Sequence, residues 1–481
     1  MMRPLIFAVL FACAGAAQAQ LPPAVSQQLA ASHIPEDAVS VLVLRGDTSL
    51  VSHFAERAMQ PASTLKLLTT LVGLEQLGPA FRGRTELLTS APVLHDTLMG
   101  DLIVRGGADA DLTGEVLTTM LQSLRNQGVR KIDGRLLQDR QLFKPARSDI
   151  GLPPFDESPD AYYNVIPDAL LVNKNMLLLD MRSTGNRVQV ASQPQLERVV
   201  VESAFTLIDA DCAKWEDGWK QPQVLRGADG KIRILLKGTY PKNCARNNSI
   251  NVLDRQDYVD RLLRQVWKQL GGEVTGPGLD GVAPPGARLL AEHVSRSLPE
   301  VVRDINKPSD NALARTVFLS LGSLEADPVA GSHPAPANPG ETTVNRTDLT
   351  IRNWMRKQGI NDSALVLENG SGLSRTEKIS ALQMAGVLQA GLRSKWAPEF
   401  QASLPIAGVD GTMRRRLKDT PAFERARIKT GALGNVMAIA GYVPDANGQQ
   451  CIVVAMINSE RAGGGRAALD ALIEWVARSG Q

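Results

Sequence analysis

Between about residue 84 and residue 284 the chain breaks into short strand-like runs separated by Gly, Pro and Asp turns. Any fold has to accommodate that change of character, because the flanking segments are patterned differently. Upstream, residues 38–45 and 48–54 read as strands joined by the hairpin signal Gly46-Asp47. A buried helix follows, with Leu65, Leu68, Val72, Leu74 and Leu77 at helical spacing and Gly78 as its stop. Downstream, residues 294–305 predict a helix that breaks at Lys307-Pro308, and residues 312–321 predict another. Residues 326–340, rich in Pro, Ala and Gly, read as a surface loop. Strands are expected at 426–431, 436–443 and 451–457, then a last helix at 465–479. Antiparallel strands flanked by helices make the outer parts α+β. Within the interior, 176–250 suggests a small β-rich domain and 256–270 an amphipathic helix. Gly276-Pro277-Gly278-Leu279-Asp280-Gly281 spells a dinucleotide-binding pattern but neither closes a strand nor opens a helix, so it reads as a turn.

The first residues carry an address. Met1-Met2-Arg3 supplies positive charge, Leu5 to Ala17 is apolar, and Ala17-Gln18-Ala19 is a small-x-small cleavage site. Residues 1–19 therefore read as a secretory signal peptide, which places the mature protein in the periplasm. The apolar run is too short to span a bilayer, and no later segment reaches eighteen uninterrupted apolar residues. Phe11 beside Cys13 makes a poor lipoprotein site. In an oxidising compartment Cys212 and Cys244 are suited to a disulfide closing a local loop, while Cys451, in an apolar run, reads as a buried thiol. The 481 residues are 43% hydrophobic and 21% charged, as in soluble globular chains. The net charge of +3 is spread thinly, with no dense basic run among aromatics, which argues against nucleic acid as a partner. The five histidines are scattered and no zinc-ligand spacing is present, so neither metal nor cofactor is expected.

Three short motifs stand in order: Ser63-x-x-Lys66, Ser309-Asp310-Asn311 and Lys429-Thr430-Gly431. Each alone is weak. Together they fall at a helix start, an inter-helix loop and a strand before its hairpin partner, where their chemistry needs them. Residues i and i+3 of a helix share a face, so Ser63 and Lys66 can meet. A serine hydroxyl becomes a nucleophile when a base takes its proton. Lysine serves as that base once burial and a second cation, Lys429, lower its pKa. Ser63 at a helix start also offers its backbone N–H to an oxyanion. Ser309 can relay a proton to a leaving amine, and Asn311 can hold Lys66 and a substrate carbonyl. Lys429 and Thr430 suit a terminal carboxylate, and Gly431 lets a substrate backbone approach the strand edge.

These residues resemble the penicillin-recognising serine peptidases and β-lactamases. Within them the chain is similar to the class C low-molecular-mass penicillin-binding proteins, D-alanyl-D-alanine carboxypeptidase/endopeptidases of the penicillin-binding protein 4 type. The very long interval from Lys66 to Ser309 matches that group's large insertion. Asn369-Gly370-Ser371-Gly372-Leu373-Ser374-Arg375 resembles its Asp-Gly-Ser-Gly-Leu-Ser-Arg segment, and residues 404–412 resemble another. The resemblance implies a β-lactamase/transpeptidase-like domain, an antiparallel sheet flanked by helices, built from 20–83 and 285–481. A second domain, 84–175 with 251–284, is inserted in it, and a β-rich third, 176–250, within the second. It implies a serine D,D-peptidase acting on peptidoglycan peptides, with β-lactams as covalent inhibitors. Ser63, Lys66 and Ser309 would be catalytic. Asn311, Lys429, Thr430, Gly431, Ala432, Arg375 and Asp156 would bind substrate, Asp156 facing the free amine of a stem-peptide diamino acid. Two positions depart from the group. Ala432 stands where many members carry Ser or Thr, leaving its backbone N–H for the oxyanion, and Asn369 replaces Asp. Rival readings are a β-lactamase-like hydrolase, which needs a second base on a water, and a non-catalytic wall-binding scaffold, against which the complete motif set argues. The sequence leaves open a membrane-surface association.

Overall fold

A computed structural model describes residues 20–480; the expected signal peptide, residues 1–19, lies outside the described residues. Its central element is a five-stranded antiparallel sheet drawn from both ends of the chain. In spatial order the strands are Thr48–His53, Val39–Arg45, Gln450–Asn458, Val436–Pro444 and Arg427–Leu433. The strand Val39–Arg45 pairs from Val39 opposite Ile457 to Arg45 opposite Cys451. Strands Val436–Pro444 and Gln450–Asn458 are buried almost throughout. Their unbroken apolar runs fit a sheet covered on both faces.

The helices Pro23–Ala31 and Arg466–Arg478 cover one face, with Val25, Leu29, Leu469, Leu472 and Val476 packed on Val41, Val43, Ile439 and Val453. On the other face lie Lys66–Gln76, Leu298–Asn306, Asn311–Leu321 and Ala381–Arg393, packed against Leu42, Ala438, Ala440, Val454 and Met456. This is a three-layer α+β domain. The Leu298–Asn306 helix begins four residues later than its hydrophobic spacing suggested. Ser297 and Glu300 form a capping box that fixes the start, and the chain before it is strand. The expected loop at 326–340 contains a small hairpin, Leu324–Asp327 with Gly331–Pro334.

The interior of the chain builds a second five-stranded sheet, in order Gly278–Asp280, Leu136–Asp139, Leu102–Gly107, Arg84–Thr89 and Arg288–Val294. The strand Arg288–Val294 pairs with Arg84–Thr89. Gly276–Gly281 is not simply a turn, because Gly278–Asp280 pairs parallel to Leu136–Asp139. A Cβ on Gly278 would stand 2.0 Å from Asp260 Oδ1, so that carboxylate would have to give way.

Residues 177–250 form two three-stranded sheets. The strand Leu177–Ser183 alternates buried and exposed positions, as a sheet covered on one face requires. Its buried Leu177, Leu179 and Met181 join Ile234 and Tyr240 in one cluster with Leu121, Leu262 and Trp267 of the surrounding insertion. Cys212 and Cys244 are disulfide-bonded, with Cα atoms 5.3 Å apart, and Cys451 is a buried free thiol.

Candidate active site

Ser63 lies on the tight 3-10 turn Ala62–Leu65, and the α-helix begins at Lys66. In a 3-10 turn residues i and i+3 eclipse. Ser63 Oγ is accordingly 2.9 Å from Lys66 Nζ. Lys66 is fully buried, and its ammonium also reaches Asn311 Oδ1 at 2.6 Å and the Ser371 carbonyl at 2.5 Å. Burial holds its pKa well below the ordinary lysine value, helped by the charges of Lys429 and Arg315 and opposed by Asp310 and Glu377. In its charged form Nζ donates to all three oxygens. Once the amine is neutral, its two N–H groups satisfy Asn311 and Ser371, and the lone pair faces the Ser63 hydroxyl.

The second motif occupies the turn between Leu298–Asn306 and Asn311–Leu321. Ser309 takes a left-handed φ of 69°, unusual for a residue with a Cβ. Asp310 caps the second helix by accepting from Leu313 N at 2.9 Å. Its other oxygen accepts from Lys174 Nζ at 2.8 Å and from the Tyr162 hydroxyl, both in the insertion. Asn311 Nδ2 donates to the Tyr163 carbonyl at 2.9 Å, and Ala312 packs with Val165 and Met176. The insertion thus braces this helix start on several sides.

The third motif lies on Arg427–Leu433, the edge strand of the central sheet. Lys429 is fully buried, which lowers its pKa to about 7. Its Nζ donates to Ser309 Oγ and to the Thr430 carbonyl, each at 2.8 Å. Thr430 Oγ1 donates to Thr412 Oγ1 at 2.8 Å. Only glycine fits at 431, where a Cβ would lie 2.7 Å from Pro61 O and 2.9 Å from Ser63 N. The outer edge of the strand is bridged by Ile406 at Arg427. From Lys429 onward, exposed Ala432 included, that edge has no strand partner among the described residues.

Asp156 and Arg375 sit at one side of this centre. The Arg375 guanidinium lies 4.6 Å from the centre of the Phe155 ring. Burial pushes the Asp156 carboxyl up. The Ser158 backbone, Tyr163, Asn164 and nearby Arg375 outweigh it and hold the carboxyl below its ordinary value. Tyr163 links the two regions, since its hydroxyl donates to Asp156 at 2.8 Å while its carbonyl accepts from Asn311. A cleft of about 950 Å³ runs beside them, lined by Phe155, Asn164, Arg255, Arg315, Leu373 and Arg375.

Ser63, Lys66, Ser309, Asn311 and Lys429 are thus brought into direct contacts, with Thr430, Gly431 and Ala432 along the adjoining strand. Asp156 and Arg375 stand beside the cleft. Sequence reasoning did not find the roles of the Ser371 carbonyl, Glu377, Arg315, Tyr162 or Lys174. Among the described residues no group of three or more His, Cys, Asp or Glu is arranged to hold a metal.

The profile of the D-Ala-D-Ala carboxypeptidase 3 (S13) family matches residues 21–479. The chain is 28% identical over 410 residues to the D-alanyl-D-alanine carboxypeptidase DacB of Haemophilus influenzae, covering 84% of this chain and 81% of that protein. It is 26% identical over 423 residues to the D-alanyl-D-alanine carboxypeptidase of an Actinomadura species, covering 86% and 76%. The crystal structure of penicillin binding protein 4 from Haemophilus influenzae shares the fold, with a TM-score of 0.74 at 24% identity over 94% of this chain and 97% of that one.

Proposed function

We infer from the chain's membership of the D-Ala-D-Ala carboxypeptidase 3 (S13) family, to which it belongs, that it is a serine D,D-peptidase acting on peptidoglycan stem peptides. The observation that carries the reading is Lys66 Nζ held between Ser63 Oγ and Asn311 Oδ1, with the Lys429–Ser309 pair beside it. Neutral Lys66 takes the Ser63 proton as Oγ attacks the carbonyl of the penultimate residue. The backbone N–H groups of Ser63 and Ala432 receive the oxyanion. Ser309 passes a proton to the leaving D-alanine amine, and water then hydrolyses the ester on Ser63. Lys429 and Thr430 hold the terminal carboxylate, and Gly431 lets the peptide lie along the open strand edge. Asp156, at the cleft with Arg375, faces a cationic group of the stem peptide. Both removal of a terminal D-alanine and cleavage of a D,D-cross-link break this kind of bond, and a penicillin acylates the same serine.

The protein works in the periplasm, after loss of residues 1–19. The Cys212–Cys244 disulfide supports an oxidising compartment, and among the described residues no helix is long and apolar enough to cross a membrane. The chain divides into a peptidase domain of 20–83 and 295–481, an inserted domain of 84–175 and 251–294, and a β-rich unit, 176–250; strand pairing supports the outer boundary.

Incubation of purified protein with a pentapeptide and with cross-linked muropeptides, followed by mass spectrometry, tests the reading. Released D-alanine or uncrosslinked monomers are expected, and Ser63→Ala should yield neither. Full activity in Ser63→Ala, or no cleavage and no penicillin adduct in the parent, would overturn it.

A further inference from the structure

One buried carboxylate near the catalytic lysine is not among the motif residues. Glu377 is 1% exposed. Its Oε1 accepts the backbone N–H groups of Glu368 at 3.1 Å, Asn369 at 2.8 Å and Gly370 at 2.7 Å, and its Oε2 accepts that of Gly372 at 3.0 Å. Four amides of a five-residue loop therefore converge on one side chain. Inward-pointing amides with no acceptor would each cost a desolvation penalty of about 1–3 kcal/mol, so the loop depends on its centre.

The wrapped loop touches the reactive centre in three places. The Ser371 carbonyl accepts from Lys66 Nζ at 2.5 Å. The Gly370 carbonyl accepts from Thr69 Oγ1 at 2.7 Å, one turn along the same helix. Gly372, at φ 80°, presses on the turn that carries the nucleophile; a Cβ there would stand 1.9 Å from Ala62 O and 2.8 Å from Ser63 N. Asn369, where the resembling segment carries Asp, is neutral and accepts from Ser371 N and Ser371 Oγ.

We propose that Glu377 is a positioning residue for the serine–lysine centre, its carboxylate folding the 368–372 loop so that the Ser371 carbonyl anchors Lys66 and Gly372 supports the Ser63 turn. The proposal rests on Lys66 as the base. The charged groups facing Lys66 are Lys429, Arg315, Asp310 and Glu377. Those facing Glu377 are Glu368, Arg315 and Lys66. Burial, with Glu368 beside it, pushes the Glu377 carboxyl above its ordinary value, and the Asn369, Gly370 and Glu368 amides oppose that, so its charge is present at pH above that raised value. Asp310 and Glu377 both favour the charged amine. Loss of the Glu377 charge therefore favours neutral Lys66, while loss of the anchor misplaces it.

Acylation by a fluorescent penicillin, followed against pH in the full-length mature protein, separates these effects. Glu377→Gln is expected to slow acylation on the order of 10- to 100-fold and to move the acid limb to lower pH. Adding Asn369→Asp to that variant returns a negative charge to the loop and should move the limb back. A loop that merely helped folding would leave the limb in place. Should Glu377→Gln fail to fold, Glu377→Asp keeps the charge but draws it back by one methylene; slowed acylation at an unchanged melting temperature supports the proposal, and slowing that appears only with a lowered melting temperature overturns it. Parental rate and parental limb in whichever variant folds would overturn it. Lys66→Ala in parallel keeps the two ideas apart. If it acylates normally, the base assignment fails; if it is inactive while the Glu377 variants are normal, only the positioning role fails.

Discussion

Lys66 has three hydrogen-bond partners and, when neutral, only two N–H groups, so its lone pair is directed by subtraction toward Ser63. Lys66→Ala should lower penicillin acylation by roughly 1,000-fold or more, measured by stopped-flow fluorescence. In the proposed mechanism the two lysines impose opposite pH requirements. Lys66 works deprotonated, and burial lowers its pKa, so acylation rises with pH along a limb below the ordinary lysine range. Lys429 binds a carboxylate as a cation, and its pKa in the empty site is lowered to about 7. A peptide ending in a free carboxylate should bind with rising KM as pH climbs through that value. The same peptide with a C-terminal amide should show no such rise. Steady-state kinetics on the pair checks this; parallel profiles would remove Lys429 from carboxylate binding. The motif residues were legible because each is a side chain with a recognisable neighbour in sequence. Glu377 was not, since its partners are backbone amides, which leave no trace in residue spacing.

At the scale of elements, the start of the Asn311–Leu321 helix is held from outside its own domain. Asp310 caps it and is gripped by Tyr162 and by Lys174, which lies in a run of three left-handed residues, Asn173 to Asn175. Lys174→Met should leave the fold intact yet lower kcat/KM about 10-fold, the size expected when a catalytic group is displaced by a fraction of an ångström. Asp310→Ala also removes a helix cap, worth about 1 kcal/mol, and should lower the melting temperature as well as the rate. Kinetics and thermal melts of the two proteins separate positioning from stability. Long patterned elements were readable in the sequence, among them the amphipathic Arg255–Gln269 and the apolar run 451–457 inside Gln450–Asn458. Gly278–Asp280 was not. Three residues paired with a strand about 140 positions away carry no period, and their glycine lies against Asp260.

For the whole molecule, the core of the inner β-rich unit, with Phe205, Trp215, Trp219 and Tyr240 packed together, runs on into that of the surrounding insertion. The Cys212–Cys244 bridge lies at the edge of that common cluster. The bridge closes a loop of 32 residues, so Cys244→Ser should cost about 2–4 kcal/mol. The loss should appear as an earlier thermal transition of the insertion, with penicillin acylation retained below it. Differential scanning calorimetry with and without a bound penicillin resolves the two. The shared core could not be foreseen, because strand-like runs announce sheets but not which sheets share an interior. A different consequence follows from the pairing of Val39–Arg45 with Gln450–Asn458. A chain is made amino end first, so Ser63 exists long before the strand that completes its sheet. A nascent chain ending before Gln450 should take up no labelled penicillin. The enzyme is disarmed by its own order of synthesis until the strand Gln450–Asn458 has been made, and a half-made copy cannot cut anything.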